Sequence, residues 1–295
     1  MTTLITGGTG RTGLGLAKLL HAANYPVLIA TRTGVAPAPF KAVKFDWNDA
    51  STHEAAFDTA DPPVDQVYIV GPPASTDVAL HTKFVELAIS KGVKRFALMS
   101  ATVVGPDANS PFPAGVVHQQ LIDAGVDFVV VRPTWFIRKQ HIVSLSYKNF
   151  DNLGITNFST IFSAAQDGKV PFVSTEDISQ VVFEGLTAEK SPNDSIFVVG
   201  PELLTYEDAA KIISSVLGRT ITYKRNTIEE QAALYTQVGA PADYAKLLAA
   251  LDADVATGTE EAVFNDAEAA AKGRLFVGKH TLLEFFKEGK NVQAK

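Results

Sequence analysis

The segment Thr6-Gly7-Gly8-Thr9-Gly10-Arg11-Thr12-Gly13 follows the short apolar run Thr3-Leu4-Ile5, and helix-spaced apolar residues (Leu14, Leu16, Leu19, Leu20, Ala23) begin at once behind it. A strand, a glycine-rich turn and a helix in that order commit the start of the chain to the kind of βαβ unit that holds dinucleotides. Gly7 permits a tight turn, Gly10 lets backbone approach a pyrophosphate, and Gly13 lets the helix sit close on the strand. The helix then presents unpaired N–H groups and a partial positive charge to phosphate. Gly7, Thr9, Gly10, Arg11, Thr12 and Gly13 are therefore the candidate phosphate contacts. A glycine-rich turn with no ligand is the competing reading.

Strand-like runs alternate with helical patterns through the first half. The expected strands are 2–6, 26–31, 42–45, 66–70, 95–99 and 127–132, mostly continuous in apolar residues, as in a parallel sheet covered on both faces. Helices are expected over 76–91, stopped by Gly92, and over 114–124, stopped by Gly125. This is the pattern of an α/β fold, a doubly wound parallel Rossmann sheet.

After residue 137 the character changes. Residues 138–165 read as polar and irregular; short strands at 170–173 and 196–199 flank a helix at 175–188. Beyond Gly200-Pro201 come a helix near Thr205, a strand at 220–223, and helices near 227–238, 241–252 and 280–288. The expected division is a dinucleotide-binding domain over 1–200, with 138–167 contributing to the substrate cleft, and a small C-terminal substrate-binding cap over 201–295. Ligands of such folds bind outside the carboxyl ends of the strands.

Composition narrows the partners. With 46% hydrophobic and 20% charged residues the 295-residue chain has ample core, and its net charge of −6 argues against nucleic acid. There is no cysteine, so thiolate nucleophiles and thiolate metal sites are excluded, and six scattered histidines lack metal-ligand spacing. The first strand starts by residue 2, leaving no room for a signal peptide, and no apolar stretch reaches the roughly 18–20 residues of a membrane span. A cytoplasmic protein with a small-molecule substrate, monomeric or homodimeric, is expected.

The second strand ends in Ala30-Thr31-Arg32, where an NAD reader places an acid on the ribose 2′-hydroxyl. A cationic tip suits a 2′-phosphate instead, and Arg11 approaches from the glycine turn. NADP is the expected cofactor. Asp46 and Trp47 follow the third strand, where a side chain meets the adenine edge; the alternative for Asp46 is a helix N-cap. Gly71 and Pro72 close the fourth strand, with Gly71 admitting the adenosine ribose or merely breaking the strand.

Several segments resemble the atypical, NmrA-like short-chain dehydrogenase/reductases, and within them the fungal festuclavine/agroclavine dehydrogenases. They are the glycine turn from Leu4 to Thr12, Phe45-Asp46-Trp47, Arg132-Pro133-Thr134-Trp135-Phe136, Gly168 to Ser174 with Asp177-Ile178, Gly200 to Tyr206, and Val216 to Arg219. The glycine turn is generic; the segments at 132–136 and 200–206 are much more particular to the subgroup. Two stretches depart from it. Phe136 is followed by Ile137-Arg138-Lys139 where relatives continue Met-Glu-Asn, and His118-Gln119-Gln120-Leu121 stands where they carry His-x-His-Leu. The resemblance implies NADPH binding and reduction of an iminium in an alkaloid of secondary metabolism.

Ordinary short-chain dehydrogenases protonate a ketone's oxygen with a Tyr-x-x-x-Lys pair. None of the seven tyrosines here has a lysine four residues later. Hydride addition to an iminium neutralises an existing cation and needs no proton, whereas a ketone needs general-acid help worth about 10²–10⁴ in rate. The missing pair therefore fits an iminium or quinone/enone reductase that works by positioning, and equally a non-catalytic NADP-binding redox sensor. Ser100, ending the fifth strand, and His118 are the candidate catalytic residues; a strand-end hydroxyl capping local backbone and a helix-surface histidine are their plain alternatives. Pro133 and Thr134 are expected to flank the nicotinamide, and Trp135, Phe136 and Tyr147 to contact substrate.

Overall fold

The computed structural model describes residues 2–72, 75–137 and 155–293. The apolar run at the start forms β1 (Thr2–Thr6), buried along its whole length. It leads through α1 (Arg11–Ala22) to β2 (Val27–Thr31) and β3 (Lys41–Lys44). A 3₁₀ turn (Ala50–Thr52) and α2 (Ala55–Asp58) precede β4 (Val64–Ile69); α3 (Val78–Ser90), β5 (Arg95–Met99), α4 (Pro113–Asp123) and β6 (Asp127–Pro133) follow. Next come α5 (Ile155–Phe158), β7 (Thr160–Ser163), β8 (Lys169–Val170), α6 (Thr175–Thr187), β9 (Asp194–Val199) and β10 (Leu204–Thr205). The last elements are α7 (Tyr206–Leu217), β11 (Thr222–Arg225), α8 (Ile228–Gln237), α9 (Ala242–Asp254), α10 (Thr259–Phe264), α11 (Ala267–Ala271), β12 (Leu275–Val277) and α12 (Leu282–Gln293).

The main sheet has eight strands in the order β12-β9-β6-β5-β4-β1-β2-β3. From β3 to β6 every pairing is parallel. The chain winds outward from β1 to β3, then returns to β4 and winds the other way, so the doubly wound α/β fold is confirmed. Between β1 and β4 the strand order reverses, which opens a crevice at their carboxyl ends.

Contacts divide the chain into two compact units, Met1–Arg132 with Thr175–Phe197, and Pro133–Ser174 with Val198–Lys295. In the first, Leu4, Val67, Phe84, Phe96, Val117 and Val130 belong to one buried cluster. Helix α1 buries Leu16, Ala17 and Leu20 on one face. The Ser179 hydroxyl of α6 donates to the Thr12 carbonyl at 3.1 Å and fastens α6 alongside α1.

The second unit is built on α7, whose start is fixed by a capping box: the Asp208 N–H donates to Thr205 Oγ1 at 3.0 Å, and the Thr205 N–H donates to Asp208 Oδ2 at 3.3 Å. Tyr206, Ala209, Ala210, Ile213 and Val216 then point inward at helical spacing. Residues 138–165 are not irregular throughout. Helix α5 and β7 fall inside that stretch, and β7 pairs in parallel with β11, some 60 residues on. The strand expected over 170–173 is only Lys169–Val170, paired antiparallel with β10.

Asp252 of α9 is 1% exposed. It accepts the Ser163 hydroxyl at 2.8 Å and the Ala164 N–H at 2.6 Å, tying α9 to the end of β7. Burial pushes its carboxyl up to about 6, against those two hydrogen bonds. Because the folded value lies above the unfolded one, the group favours folding once protonated, and that contribution is lost as pH rises through about 6. Unfolding experiments are expected to show wild type gaining about 2 kcal/mol relative to Asp252→Asn between pH 7.5 and 4.5. Parallel pH profiles of the two proteins would contradict this account.

Candidate active site at the carboxyl ends of the sheet

The glycine turn is shaped by contact as well as by conformation. Gly7 sits at φ +61°, and the Gly10 N–H donates to its carbonyl at 2.8 Å. A side chain at Gly13 would come within 2.7 Å of Gly7 O and 2.8 Å of Gly8 Cα, so the helix starts directly on the turn only because residue 13 has no Cβ. Gly10 caps α1 without a side-chain hydrogen bond, and no acidic residue lies in the first turn. The opening N–H groups of α1 thus lack both a side-chain cap and a competing negative charge. Thr9 and Arg11 are exposed beside them; Thr12 is buried, its carbonyl held by Ser179.

At the end of β2, the Gly34 N–H donates to Thr31 O at 3.2 Å and the Val35 N–H to Thr31 Oγ1 at 3.2 Å. This tight turn carries Arg32 outward, exposed.

At the end of β3 the structure corrects two expectations. Asp46 does not cap a helix: its Oδ1 accepts the Asn48 N–H at 3.0 Å in a local turn, and Asp49 caps the 3₁₀ segment. Trp47 does not offer its ring to a ligand. It is 8% exposed, lies edge-on to Phe45 and Phe84, and stacks on His81 at 4.9 Å. Its indole N–H donates to Val70 O at 3.2 Å, holding the end of β4. The reason is size: an indole beside β4 buries more apolar surface in the core than at an edge. Gly71 has a reason beyond strand breaking, since a Cβ there would meet His81 Nε2 at 2.5 Å. Pro72, half-buried, follows it.

Ser100 donates its hydroxyl to Val104 O at 3.0 Å, and its N–H to Val131 O at 2.9 Å. The turn it closes is held by Arg132, which donates from Nε to Ala101 O at 3.3 Å and from its terminal nitrogen to Thr102 O. The guanidinium lies 4.4 Å from the Phe197 ring centroid.

His118 is neither on a helix surface nor exposed at the carboxyl edge. It is 3% exposed on the inner face of α4, edge-on to Phe128 at 5.8 Å. Burial, then the Arg132 charge, hold its imidazole down at about 4 despite the pull of Asp194. Nδ1 has no hydrogen-bond partner among the described residues.

Pro133 to Phe136 belong to the second unit. Thr134 is 3% exposed and donates its hydroxyl to Glu260 Oε2 at 2.7 Å. Trp135 is half-buried against the second unit's core, and Phe136 bridges to Val173. Tyr147 lies outside the described residues. Among the described residues no group of three or more side chains is placed to hold a metal ion, and no helix is long and apolar enough to cross a membrane.

Four further residues escaped the sequence reading. Glu260 and Asp252 lie far along the chain from the partners they meet. Arg132 stood inside a noticed motif, but its turn-holding role depends on the fold. His81 had the one available local signal, a histidine one position after Leu80 on the apolar face of α3.

The profile of the NmrA-like family matches residues 1–285. The chain belongs to that family. It is 38% identical to agroclavine dehydrogenase of Claviceps fusiformis over 270 residues, 88% of this chain and 89% of that protein. It is 35% identical to festuclavine synthase I of Penicillium roqueforti over 91% of this chain and 92% of that one. Among solved structures, Citrobacter sp. triphenylmethane reductase complexed with NADP(H) shares the fold with a TM-score of 0.72, at 18% identity, covering 98% of this chain and 100% of that chain.

The environment of His118 is directly measurable. Its ring resonances are expected to titrate near pH 4, while an exposed histidine titrates near its ordinary 6.5. Arg132→Met is expected to raise the midpoint by removing the cation while leaving the ring buried. A wild-type midpoint above 6 would rule out this reading of the site.

Proposed function

We propose that this NmrA-like protein is an NADPH-dependent reductase that delivers hydride to a cyclic imine or iminium of a flat, hydrophobic, alkaloid-type molecule. The observation that carries the cofactor assignment is the uncapped start of α1 behind the glycine turn, beside the β1/β4 switch point. The residues present fit a dinucleotide there. Gly7, Gly8, Gly10 and Gly13 keep the turn clear for close approach of a pyrophosphate, with Thr9, Arg11 and Thr12 between them. Arg32 and Arg11 carry exposed guanidinium groups suited to a 2′-phosphate. Asp46, Gly71 and Pro72 border the adenosine end, with Trp47 holding the turn from behind.

NADPH, when bound, supplies the hydride. The chain's own residues bind, orient and exclude water. His118 is neutral and core-packed at pH 7, and the Ser100 hydroxyl already donates to backbone. Neither is set up as a proton donor, which matches hydride addition to a carbon whose positive charge already exists. Rate then comes from orientation in a dry pocket. Pro133 and Thr134, the latter's hydroxyl fixed by Glu260, are assigned to the reacting ring, and Trp135 and Phe136 to the substrate. In this reading residues 1–200 carry the cofactor and 201–295 the substrate cap. The kinship with agroclavine and festuclavine enzymes supports the substrate class.

The deciding experiment is NADPH consumption by the purified chain with a panel of cyclic iminium ions, quinones and enones. Turnover of iminium ions is expected. Turnover confined to quinones or enones would replace the substrate class, and tight NADPH binding with no turnover would make the chain a cofactor sensor. Arg32→Ala is expected to weaken NADPH about 10–100-fold and NADH less than about 3-fold. Equal losses for both cofactors would remove the account of NADP preference.

A further inference from the structure

The imidazole of His81 sits where a side chain on residue 71 would be. It is 5% exposed, its Nδ1 lies 2.9 Å from Asp77 O, and its face stacks on Trp47 at an interplanar angle of 29°. A carbonyl oxygen only accepts, so Nδ1 carries the proton and Nε2 is a bare lone pair. That nitrogen is the atom 2.5 Å from the ideal Cβ position of Gly71. Trp47, stacked on the imidazole face, donates to Val70 O, and Asp77 also caps α3 by accepting the Leu80 N–H at 3.1 Å. The start of α3, the indole and the Val70–Gly71 turn are thus joined through one ring.

We propose that His81 is a positioning residue for dinucleotide binding: its neutral imidazole fills the side-chain space of Gly71 and sets the turn that accepts the adenosine half of the cofactor. The proposal rests on the NADP reading above. Gly71 is glycine because a protein side chain, rather than the ligand, occupies its Cβ position. The chemistry also demands the neutral ring. A proton on Nε2 would set an N–H against Gly71 with no acceptor among the described residues, while Nδ1–H stays engaged by Asp77. Burial, the leading influence, lowers the imidazole below its ordinary value, and Asp77 is the one charged group acting on it among the described residues. Trp47 and Gly71, the groups facing it from the other elements, carry no charge. The ring is therefore neutral at pH 7, and its protonation on acidification disturbs the turn.

NADP⁺ titrated calorimetrically into the full chain tests this with a pair of substitutions. His81→Ala is expected to weaken binding about 10-fold, and Gly71→Ala to weaken it at least as much through collision with the ring. His81→Ala/Gly71→Ala is then expected to bind more tightly than Gly71→Ala alone, because the new methyl drops into the vacated space. An unchanged affinity in His81→Ala, or a double variant no better than Gly71→Ala, would overturn the proposal. A pH series provides the second readout and does not depend on His81→Ala folding. On acidification over the range in which the chain stays folded, wild type is expected to lose affinity more steeply than His81→Gln; coincident profiles would overturn the proposal as well. A wild type that binds no NADP⁺ would overturn the cofactor reading itself, and this inference with it.

Discussion

The peptide of Val70 is gripped from both sides. Its N–H donates to Thr6 Oγ1 at 2.7 Å, and its carbonyl accepts the Trp47 indole N–H at 3.2 Å. The Thr6 hydroxyl in turn donates to Tyr68 O at 3.1 Å. One side chain from the end of β1 and one from beyond β3 therefore fix the point where β4 leaves the sheet. That point is also where the strand order reverses. In a doubly wound sheet the crevice at the reversal exists because the connections depart in opposite directions. Its walls are only as definite as the strand ends, and here each wall is tied to the other by a buried hydrogen bond. The glycine turn leaves from Thr6 and the Gly71 turn from Val70, so both lips of the crevice hang from the same clamp.

The sheet was legible in the sequence because parallel strands covered on both faces must be apolar along their length. Val27 to Thr31, Arg95 to Met99 and Asp127 to Pro133 announce themselves without help from any partner. β7 does not: it is four residues long, alternates in burial, and gains its meaning only by pairing with β11, which itself lies two residues beyond the strand expected at 220–223 and is exposed at three of its four positions. The same distinction governs the site. The glycine turn is a local device, and its shape follows from residues a few positions apart. Trp47 misled because an aromatic residue at a strand end looks the same whether it faces solvent, ligand or core, and only the positions of Phe84 and His81 decide. His118 misled in the opposite direction. A lone histidine among polar glutamines looks exposed, yet the helical turn places it on the face that meets Phe128.

Two buried titratable groups, one in each unit, respond to acid with opposite sign. His118 is a base held near 4, so below about 6.5 the unfolded chain binds a proton that the folded chain refuses, and acid erodes the first unit. Asp252 is an acid held near 6, so the folded chain binds its proton before the unfolded chain does, and acid supports the second unit. Each shift amounts to about 3 kcal/mol at full extent, large against the roughly 5–15 kcal/mol that separates most native states from unfolding. The two oppose each other, while His81, a second buried imidazole lowered by burial, adds to the acid-sensitive side of the first unit. The glycine turn and the Gly71 turn both lie in the unit that carries His118. Acid therefore works against the unit that carries both lips of the crevice, through a buried base, while it favours the second unit through Asp252.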